Sequence, residues 1–451
     1  MCMNKIAIIG LGTMGENFAK NFASKNIETA IYNRSFDKTR AITNQNIPYL
    51  QGFEKLENLV NSIELPRKIL LLVKAGEPTD AIIKELEPLL SKGDILVDCG
   101  NSNWKDTIRR QESLKDISLV GCGISGGSKG ALLGPSLMPS GDKSAVDLLL
   151  PLFSLVSAKD FGGGNCVANV GLSASGHFVK MVHNGIEYAM MQGLAEVYDI
   201  LNHTQLTHLQ IISVFEHINT GENKSFLGDI TTQILETKDS DGYLLDKIDS
   251  KAGAKGTGKW TVEAGLDLGV PIPSIYAAVN ARVMTELNAQ MQPFVQKIPT
   301  KPKQVDISLI QEYLWQLVNG IYFVAYTQGM ELIHQANLEY NWNIDLLEII
   351  RIWQGGCIIR SQMLQTLAEL YKKNTYPQEQ FDFTLEAIDT VKQLGFVVPM
   401  PVINATADYI LSIKSTKLPQ NLTQAQRDLF GAHTYQKDGQ NQTFTGGWNS
   451  L

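Results

Sequence analysis

A polar stripe on one predicted helix carries the side chains of this sequence that are best suited to chemistry. An amine, an imidazole, an amide, a carboxylate and a phenol occur there at the helical spacings i, i+3, i+4, i+7 and i+8. The five residues are Lys180, His183, Asn184, Glu187 and Tyr188. Spacings of three and four residues put side chains on one face of a helix. The apolar residues between them fall on other faces, where they can pack.

The stripe offers an acid and a base to one small substrate. Lys180 and Glu187 are two turns apart, which is roughly 10 Å along a helix axis. A solvent-exposed face is the ordinary explanation for a single Lys–Glu pair, because these residues are almost never fully buried unless paired. Such a face does not need an imidazole, an amide and a phenol beside the pair, and the sequence becomes apolar directly afterwards, at 189–191. We interpret the stripe as an acid–base site.

Length and composition indicate a globular protein with two or three domains. The 451 residues are 44% hydrophobic and 19% charged, which is ordinary for a soluble protein with sizeable cores. The net charge of −7 argues against a nucleic-acid partner, although a local basic pocket for a phosphorylated anion is compatible with it. No apolar run reaches the ~18 residues of a membrane span. We therefore expect neither nucleic acid nor membrane as a partner.

The cysteines predict neither a disulfide framework nor a metal site. There are five of them, scattered along the chain without a Cys-x-x-Cys pair. An odd number at irregular spacing is typical of a reduced protein. The chain runs almost at once into a predicted strand, so we expect no signal peptide and a cytoplasmic location.

The N-terminal segment predicts a dinucleotide-binding unit. Residues 5–9 form a short apolar run typical of a buried parallel strand, and residues 28–32 form a second. Between them lies a Gly-x-Gly-x-x-Gly sequence that opens a helical pattern, with Gly10, Gly12, Thr13, Met14 and Gly15 as its key residues. The glycines allow a tight turn, and the helix N-terminus favours a pyrophosphate. A glycine-rich turn without a ligand is the alternative, but a strand before and a helix after favour dinucleotide binding.

The residues after the second strand favour NADP over NAD. An NAD enzyme usually has Asp or Glu there, whereas this chain has Asn33, Arg34 and Ser35, with Lys38 one turn later. A guanidinium and a hydroxyl suit a 2′-phosphate. A solvated surface arginine is the alternative.

The alternation of strands and helices continues through residues 68–73, 77–90 and 94–98. The first of these strands leads into Lys74 and Ala75, and the second into Asn101. Ligands of open α/β sheets bind beyond the carboxyl ends of the strands. Lys74 and Asn101 are therefore placed for the cofactor or the substrate.

Two glycine-rich segments follow. Residues 121–127 predict a second glycine-rich turn, 134–141 a further loop, and 146–156 a helix. Exposed main-chain N–H groups near Ser125 could cradle an anion. A plain surface loop remains the alternative.

Helical patterns replace strand patterns from about Ser173. We accordingly predict a nucleotide-binding domain over 1–173, an all-helical catalytic and dimerisation domain over 174–420, and a C-terminal tail over 421–451. The Lys- and Gly-rich stretch 251–260 interrupts the helices. Its lysines could bind phosphate, or the stretch could be a mobile connector.

The helical part contains an imperfect repeat. Residues 317–321 are similar to 182–186, and each stretch precedes a Gln-Gly pair, although the spacing to that pair slips by one residue. An offset of 135 residues places Trp315, Val318 and Tyr322 where the first copy has its lysine, histidine and glutamate. The second copy would keep the packing and lose the ionisable set, which supports chemistry in the first.

The end of the chain is polar, with an arginine, aromatic residues and a histidine between 427 and 435. A disordered tail is one explanation. The composition of this stretch favours a segment that docks on another surface.

Together these motifs resemble the decarboxylating 6-phosphogluconate dehydrogenase family from end to end. The resemblance rests on the glycine-rich turn with residues 33–35, on 72–76, 125–127, 177–188, 255–260 and 427–435. It implies a Rossmann-like α/β N-terminal domain, a large all-α domain with an extended C-terminal tail, and a homodimer. It also implies oxidation and decarboxylation of 6-phosphogluconate to ribulose 5-phosphate and CO2, with NADP as the cofactor and no metal.

The resemblance also implies roles for individual residues. Lys180 is the base that takes the proton of the 3-hydroxyl, and Glu187 is the acid that protonates the product carbon. Contacts to NADP are expected from Arg34, Ser35, Lys38, Val73, Lys74, Ala75 and Asn101. Contacts to the substrate are expected from Asn101, Ser125, Gly126, Gly127, His183, Asn184, Tyr188, Lys255, Thr257 and Arg282. Arg427 and His433 are expected to reach the site of the partner subunit.

One departure and two alternatives accompany the resemblance. The family often has two glutamates after Ser-Gly-Gly, where this chain has Ser128 and Lys129. The changed charge affects affinity near that loop and leaves the acid–base pair intact. A β-hydroxyacid dehydrogenase without decarboxylation shares several motifs but is normally much shorter and lacks the C-terminal motif. An NADPH-binding regulatory scaffold would not need Lys180 and Glu187.

Overall fold

The computed structural model describes residues 3–296, 298–375 and 377–448. The chain forms two compact units, one of residues up to Thr406 and one from Ala407 onwards. The first contains a sheet with its flanking helices and a large helical part. Among the described residues, no helix is long and apolar enough to cross a membrane.

The sheet has seven strands in the order β3-β2-β1-β4-β5-β6-β7. Its strands are β1 (Ile6–Ile9), β2 (Thr29–Tyr32), β3 (Leu50–Gly52), β4 (Lys68–Leu71), β5 (Ile95–Asp98), β6 (Ser118–Ser125) and β7 (Ser136–Ser140). Neighbouring strands from β3 to β6 pair in parallel, and β7 pairs antiparallel with β6. Strands β1, β4 and β5 are buried along their whole length. Apart from Lys68 and Asp98 at their ends, their residues are apolar without the alternation of a half-exposed strand.

Helices cover both faces of this sheet, as expected for a Rossmann-like unit. They are α1 (Thr13–Ser24), α2 (Phe36–Thr43), α3 (Leu56–Asn61), α4 (Glu77–Leu86), α5 (Trp104–Ser113), α6 (Gly127–Leu133) and α7 (Lys143–Val156). Two apolar clusters lie on opposite faces, one including Phe18, Phe22 and Phe153 and the other including Leu59, Leu86 and Leu96. The predicted strands and helices agree with these bounds to within a few residues; α4 ends early and a 3-10 turn covers Glu87–Leu89.

Two of the predicted turns are wrong. Most of 121–127 is strand, because β6 continues to Ser125 and only the last two glycines turn the chain. Residues 136–140 are likewise a strand rather than a loop, paired with β6 and buried along its whole length. The glycines of β6 serve close packing against the first long helix of the helical part, which single-residue turn preferences do not reveal.

The helical part surrounds one long buried helix. Its helices are α8 (Ser175–Asn202), α9 (His208–Ile218), α10 (Phe226–Glu236), α11 (Thr257–Asp267), α12 (Pro273–Met291), α13 (Ile307–Tyr340), α14 (Leu346–Ile352), α15 (Met363–Lys373), α16 (Gln378–Gln393) and α17 (Pro401–Lys414). A two-residue antiparallel ladder, β8 (Lys238–Asp239) with β9 (Gly242–Tyr243), interrupts them. Helix α8 packs against α11, α12 and α13 and against strands β6 and β7.

Contacts between α8 and α13 are reciprocal. Gly193 of α8 lies against Ile321 of α13, and Gly329 of α13 lies against Ile186 of α8, so closely that a Cβ on either glycine would clash. Ile186 and Ile321 are the equivalent residues of the imperfect repeat, and the two glycines are equivalent after the one-residue slip. The reciprocity supports a duplicated helical unit.

The second unit is a small hydrogen-bonded structure. It contains α18 (Gln420–Gly431) and the strands β10 (Tyr435–Gln436) and β11 (Thr443–Phe444). Asp428 is 4% exposed, and its carboxylate accepts hydrogen bonds from the Thr434 and Gly446 N–H groups, the Thr445 hydroxyl and the Trp448 indole. This carboxylate organises residues 428–448 locally.

Candidate active site

The predicted polar stripe lies on α8, and its side chains are mostly buried. The structure confirms the predicted helix and places all five residues on it. Lys180, His183, Asn184 and Tyr188 are each less than a tenth exposed, and the Glu187 side chain is 23% exposed. A solvated face is therefore excluded. The apolar residues of α8 pack against the neighbouring helices, and the stripe faces the end of the sheet and α11. The helix is therefore buried on most sides.

Strands β6 and β7 approach α8 more closely than side chains at the contacting glycines would allow. A Cβ on Gly123 would overlap the Lys180 Cβ, and a Cβ on Gly176 would overlap the Met138 carbonyl oxygen. Glycine permits such backbone contact because it has no side chain. The close approach brings Ser125, at the carboxyl end of β6, directly to the stripe.

A chain of hydrogen bonds joins Ser125 to the amine. The Ser125 hydroxyl lies 2.9 Å from His183 Nε2, and His183 Nδ1 lies 3.1 Å from Asn184 Oδ1. Since an amide oxygen only accepts, Nδ1 carries the imidazole proton and the Ser125 hydroxyl donates to Nε2. The Lys180 amine donates to the same Asn184 oxygen. The amine is thereby held at a fixed place beside the imidazole.

Burial shifts the acidities of the pair in opposite directions. Burial lowers the pKa of Lys180 below that of an ordinary lysine, with Glu187 and Cys357 opposing the shift. Burial raises the pKa of Glu187, with Lys180 and Arg282 opposing it. The pKa of His183 is well below its usual value because of burial and the neighbouring amine. An amine that loses its proton easily and a carboxyl that keeps one are suited to base and acid roles respectively.

His177, one turn before Lys180, ties α8 to the sheet. Its Nε2 lies 3.0 Å from the Asp98 carbonyl oxygen and its Nδ1 lies 2.7 Å from the Thr107 hydroxyl. Because a carbonyl only accepts, Nε2 carries the proton. Burial lowers the pKa of His177, which favours the neutral imidazole. Its two hydrogen bonds link α8 to β5 and α5.

The loop over residues 251–256 and helix α12 border the other end of the stripe. The Arg282 guanidinium stacks 3.5 Å from the centre of the Tyr188 ring and donates to the Gly253 carbonyl at 3.2 Å. Lys255 is exposed in the same loop, and Thr257 is buried at the start of α11. The Arg282 guanidinium thus lies over Tyr188 and contacts the loop that carries Lys255, an arrangement suited to an anion.

A small cavity of about 10 Å³ marks where these elements meet. Asn101, Ser102, His177, Lys180, Met181, Asn184 and Thr257 line it. The cavity has room for about one water molecule. The structure therefore brings the end of β5, the stripe of α8 and the start of α11 together at Lys180.

The glycine-rich turn has the geometry of a pyrophosphate site. Gly10 has a φ of +99°, which L side chains rarely adopt, and a Cβ on Gly15 would overlap the Gly10 carbonyl oxygen. Position 12 has open space around it. Helix α1 begins directly after Gly12 without a side-chain cap, so the N–H groups at Thr13 and Met14 are free for a phosphate. The Leu11 N–H donates to Asn33 Oδ1, which ties this turn to the end of β2.

The residues predicted for the rest of the cofactor lie along the same sheet edge. Arg34, Ser35 and Lys38 follow β2 and are exposed. Residues 73–75 follow β4, with the side chain of Lys74 exposed. Among the described residues, no hydrogen bond or ion pair engages the side chains of Arg34 or Lys38. The edge offers cations at the ribose end of a dinucleotide, which suits a 2′-phosphate.

Sequence reasoning missed a segment that closes the site from the far end of the chain. The Ile358 N–H donates to the Ser125 hydroxyl oxygen at 3.3 Å, and the fully buried Trp353 ring packs edge-on against His183. Cys357 is close enough to Lys180 to affect its pKa. The pair Gly355-Gly356 signals a turn here, but no local pattern links residues 353–358 to a serine more than 200 positions earlier.

The second copy of the repeat has no comparable set. Asn319 is the equivalent of Asn184, and its amide donates to Glu222 and Asn223 and accepts from Gln380. Trp315 and Tyr322 occupy the positions of the amine and the carboxylate. Its polar groups bond to one another, and no lysine or histidine stands at the positions equivalent to Lys180 and His183.

Arg427 and His433 belong to the second unit. The Arg427 guanidinium donates to Gln424 within α18, and His433 follows the left-handed Ala432. Their predicted role remains a prediction. Among the described residues, no group of three or more His, Cys, Asp or Glu side chains could hold a metal ion.

Sequence comparison assigns both parts of this arrangement to one family. A family model described as the C-terminal domain of 6-phosphogluconate dehydrogenase matches residues 176–448. A second, described as the NAD binding domain of 6-phosphogluconate dehydrogenase, matches residues 5–171. The chain belongs to the 6-phosphogluconate dehydrogenase family. The predicted resemblance and fold class are confirmed.

Relatives of the family match along nearly their whole length. A protein of Lactococcus lactis named 6-phosphogluconate dehydrogenase, decarboxylating, is 42% identical, with 97% of each chain covered. The Escherichia coli protein of the same name is 39% identical, covering 99% of this chain and all of that one. A solved structure of Plasmodium falciparum 6-phosphogluconate dehydrogenase superposes with a TM-score of 0.92 at 35% identity, covering 98% and 100% of the two chains. That protein is described in its apo form and in complexes with NADP+ and with 6-phosphogluconate.

Proposed function

We propose that this protein catalyses the oxidative decarboxylation of 6-phospho-D-gluconate to D-ribulose 5-phosphate and CO2, with reduction of NADP+ to NADPH, as in the oxidative pentose phosphate pathway. The buried Lys180–Glu187 pair carries the proposal, because its two pKa values are shifted in the directions that base and acid roles require. The test is to supply 6-phosphogluconate and NADP+ and to measure NADPH and CO2 together. Formation of NADPH without CO2 would show that the protein is a hydroxyacid dehydrogenase that does not decarboxylate its substrate.

NADP+ suits the carboxyl edge of the sheet. The turn after β1 can hold the pyrophosphate, and Arg34, Ser35 and Lys38 can hold the 2′-phosphate. We assign Val73, Lys74, Ala75 and Asn101 to the remainder of the cofactor. Bound there, the nicotinamide accepts the hydride that leaves C3 of the substrate.

Lys180 starts the reaction as a general base. In its neutral form the amine takes the proton of the 3-hydroxyl while the hydride departs. Its lowered pKa makes that form accessible, since burial penalises the ammonium. The resulting ammonium then polarises the new 3-carbonyl. The carbonyl accepts the electrons that remain when the bond to the carboxylate breaks, so CO2 leaves and an enediol forms.

Glu187 completes the reaction as a general acid. Its raised pKa favours the protonated form that an acid role requires, and it delivers that proton to C1 of the enediol. We assign the substrate to Asn101, Ser125, Gly126, Gly127, His183, Asn184, Tyr188, Lys255, Thr257 and Arg282, with the Arg282 guanidinium over Tyr188 available for the phosphate ester.

A homodimer with shared sites is part of the proposal. Arg427 and His433 lie on a polar segment whose own hydrogen bonds centre on Asp428, and within the described part of the chain the Arg427 guanidinium donates to one acceptor, Gln424. A phosphate ester bound to a partner subunit would give it a charge-assisted partner. We place the enzyme in the cytoplasm, which fits its free buried cysteines at 99, 122, 166 and 357.

Replacing Arg34 with alanine should lower activity with NADP+ much more than activity with NAD+. A charge-assisted contact to the 2′-phosphate contributes about 1.5–3 kcal/mol, so kcat/KM for NADP+ should fall roughly 10- to 100-fold. Arg40→Ala is the matched control, because Arg40 is also exposed but pairs with Asp37. Equal losses for NAD+ and NADP+ in Arg34→Ala would refute the assignment.

Replacing Glu187 with glutamine should move the acidic limb of the pH profile to lower pH. The limb of kcat/KM reports loss of the Lys180 proton, and the Glu187 charge raises the pKa of Lys180. Removing that charge therefore lowers the pKa further, while the loss of the acid reduces the maximal rate. Asp199→Asn, which changes a carboxylate farther along α8, should leave the limb in place. An acidic limb that stays at the same pH or moves to higher pH in Glu187→Gln would contradict the coupling between Glu187 and Lys180.

A further inference from the structure

A buried arginine joins the two loops that frame the proposed site. Arg110, on α5, is 2% exposed. Its guanidinium donates to the Asp98 carboxylate at 3.0 Å, to the Asp80 carboxylate at 2.7 Å and to the Gly76 carbonyl oxygen at 3.1 Å. Gly76 ends the loop after β4, and Asp98 ends β5. One planar group thus contacts the carboxyl ends of two adjacent strands.

Asp98 extends this contact into the loop that carries Asn101. Its carboxylate accepts from the Gly100 N–H at 2.9 Å and from the Ser102 hydroxyl at 2.7 Å, on either side of Asn101. The Arg110 guanidinium also reaches the Ser102 hydroxyl at 3.3 Å. The carboxylate is 0% exposed, so no solvent competes for these bonds. The loop is therefore held at both ends by a single ion pair.

Stability alone is a weak reason for such a pair. Burying two charges costs desolvation that their attraction largely cancels, and apolar residues of similar volume are often as stabilising. Its geometry has a different consequence. A guanidinium fork fixes several acceptors in one plane, which the point charge of lysine does not do. The network therefore sets the spacing between the two loops.

We propose that Arg110 is a positioning residue that sets the spacing between residues 73–76 and Asn101, and thereby the spacing between cofactor and substrate. The inference rests on the proposed function, which places NADP+ against the first loop and both ligands against Asn101. A displacement of about 1 Å at such a site can lower the rate by up to about 100-fold.

The same two strands offer a matched control at their opposite ends. Arg67 precedes β4 and Asp94 precedes β5, and they pair at 2.8 Å with side chains 15% and 1% exposed. Arg67→Lys and Arg110→Lys therefore each replace the guanidinium of an arginine–carboxylate pair beside β4 and β5. The first pair lies at the amino ends of these strands and the second at their carboxyl ends. A purely structural role predicts similar effects of both. Positioning predicts that only Arg110→Lys affects the ligands.

The experiment measures binding and turnover in the full-length protein. Dissociation constants for NADP+ and for 6-phosphogluconate come from calorimetry without turnover, and kcat/KM from NADPH formation. Arg110→Lys should weaken NADP+ binding and lower kcat/KM by up to about 100-fold, with Arg67→Lys close to wild type. Ser102→Ala should act in the same direction more mildly, and it carries the test if Arg110→Lys fails to fold.

A double-mutant cycle with Asn101→Ala separates positioning from general damage. If Arg110 acts through the Asn101 loop, Arg110→Lys should reduce kcat/KM far less in the Asn101→Ala background than in wild type. Independent, multiplying losses would overturn the inference, as would equal effects of Arg110→Lys and Arg67→Lys. A wild-type protein without NADPH formation from 6-phosphogluconate would instead reject the proposed function.

Discussion

Lys180→Met is expected to lose nearly all turnover while still binding NADP+. Methionine has a similar length and keeps the contact of the side-chain stem with Gly123 of β6, but it cannot take a proton. Loss of a general base typically costs about 10²–10⁴-fold. The loss should reach the upper end or beyond, because the proposed mechanism also has this group polarise the carbonyl during decarboxylation. The measurements are kcat with 6-phosphogluconate and the dissociation constant for NADP+.

The control for this variant is Lys143→Met. Lys143 lies on α7, with a side chain 74% exposed and paired with Asp147, so its replacement removes an exposed amine without touching the proposed base. It should keep turnover close to wild type. Near-normal turnover by Lys180→Met would reject the mechanism. Loss of NADP+ binding together with turnover would indicate damage to the fold instead.

Mixing two inactive variants should restore activity if each site is built from two subunits. Lys180→Met removes the base, and Arg427→Ala removes the proposed contact from the partner. In a heterodimer with shared sites, one site carries both defects and the other carries neither. Each heterodimer should therefore reach about half of wild-type activity, because a two-fold dimer has two equivalent sites.

The control is each variant mixed with itself under the same conditions, which should stay inactive. If every site is built within one subunit, all sites in the heterodimer keep one defect and mixing restores nothing. Heterodimers must be shown to form, for example by differently tagged chains purified in sequence. Absence of recovery in purified heterodimers would reject the shared site and leave the catalytic role of Lys180 standing.

Local sequence patterns predicted the features that depend only on residues close together in the chain. The stripe on α8 was predictable because helical periodicity alone places Lys180, His183 and Glu187 on one face. The turn at Gly10 was predictable because strand, glycine spacing and helix follow within a dozen residues. The family resemblance rests on the same motifs, and comparison across nearly the whole chain confirms it.

Tertiary packing determined the extent of β6 and the burial of the stripe, which local patterns did not predict. Residues 121–125 contain two glycines but extend β6, because these glycines are required by the approach of α8 rather than by a turn. The burial of the stripe follows from the same approach, and burial is the largest cause of the shifted pKa values of Lys180 and Glu187. A sequence predicts which ionisable groups share a face, but not how much solvent they lose.

Contacts between distant parts of the chain were equally beyond local patterns. Ile358 and Trp353 reach Ser125 and His183 because the second half of the helical part folds back onto the sheet. Arg110 has no sequence signature, since an arginine on an amphipathic helix is usually solvated; only the buried Asp98 beside it reveals its place. The amino-acid sequence by itself determined the shared face of the proposed acid and base and the glycine-rich turn, because each depends on neighbours a few residues away. The tertiary structure determined their burial, tautomers and supporting contacts, because these depend on which distant backbone excludes water from them.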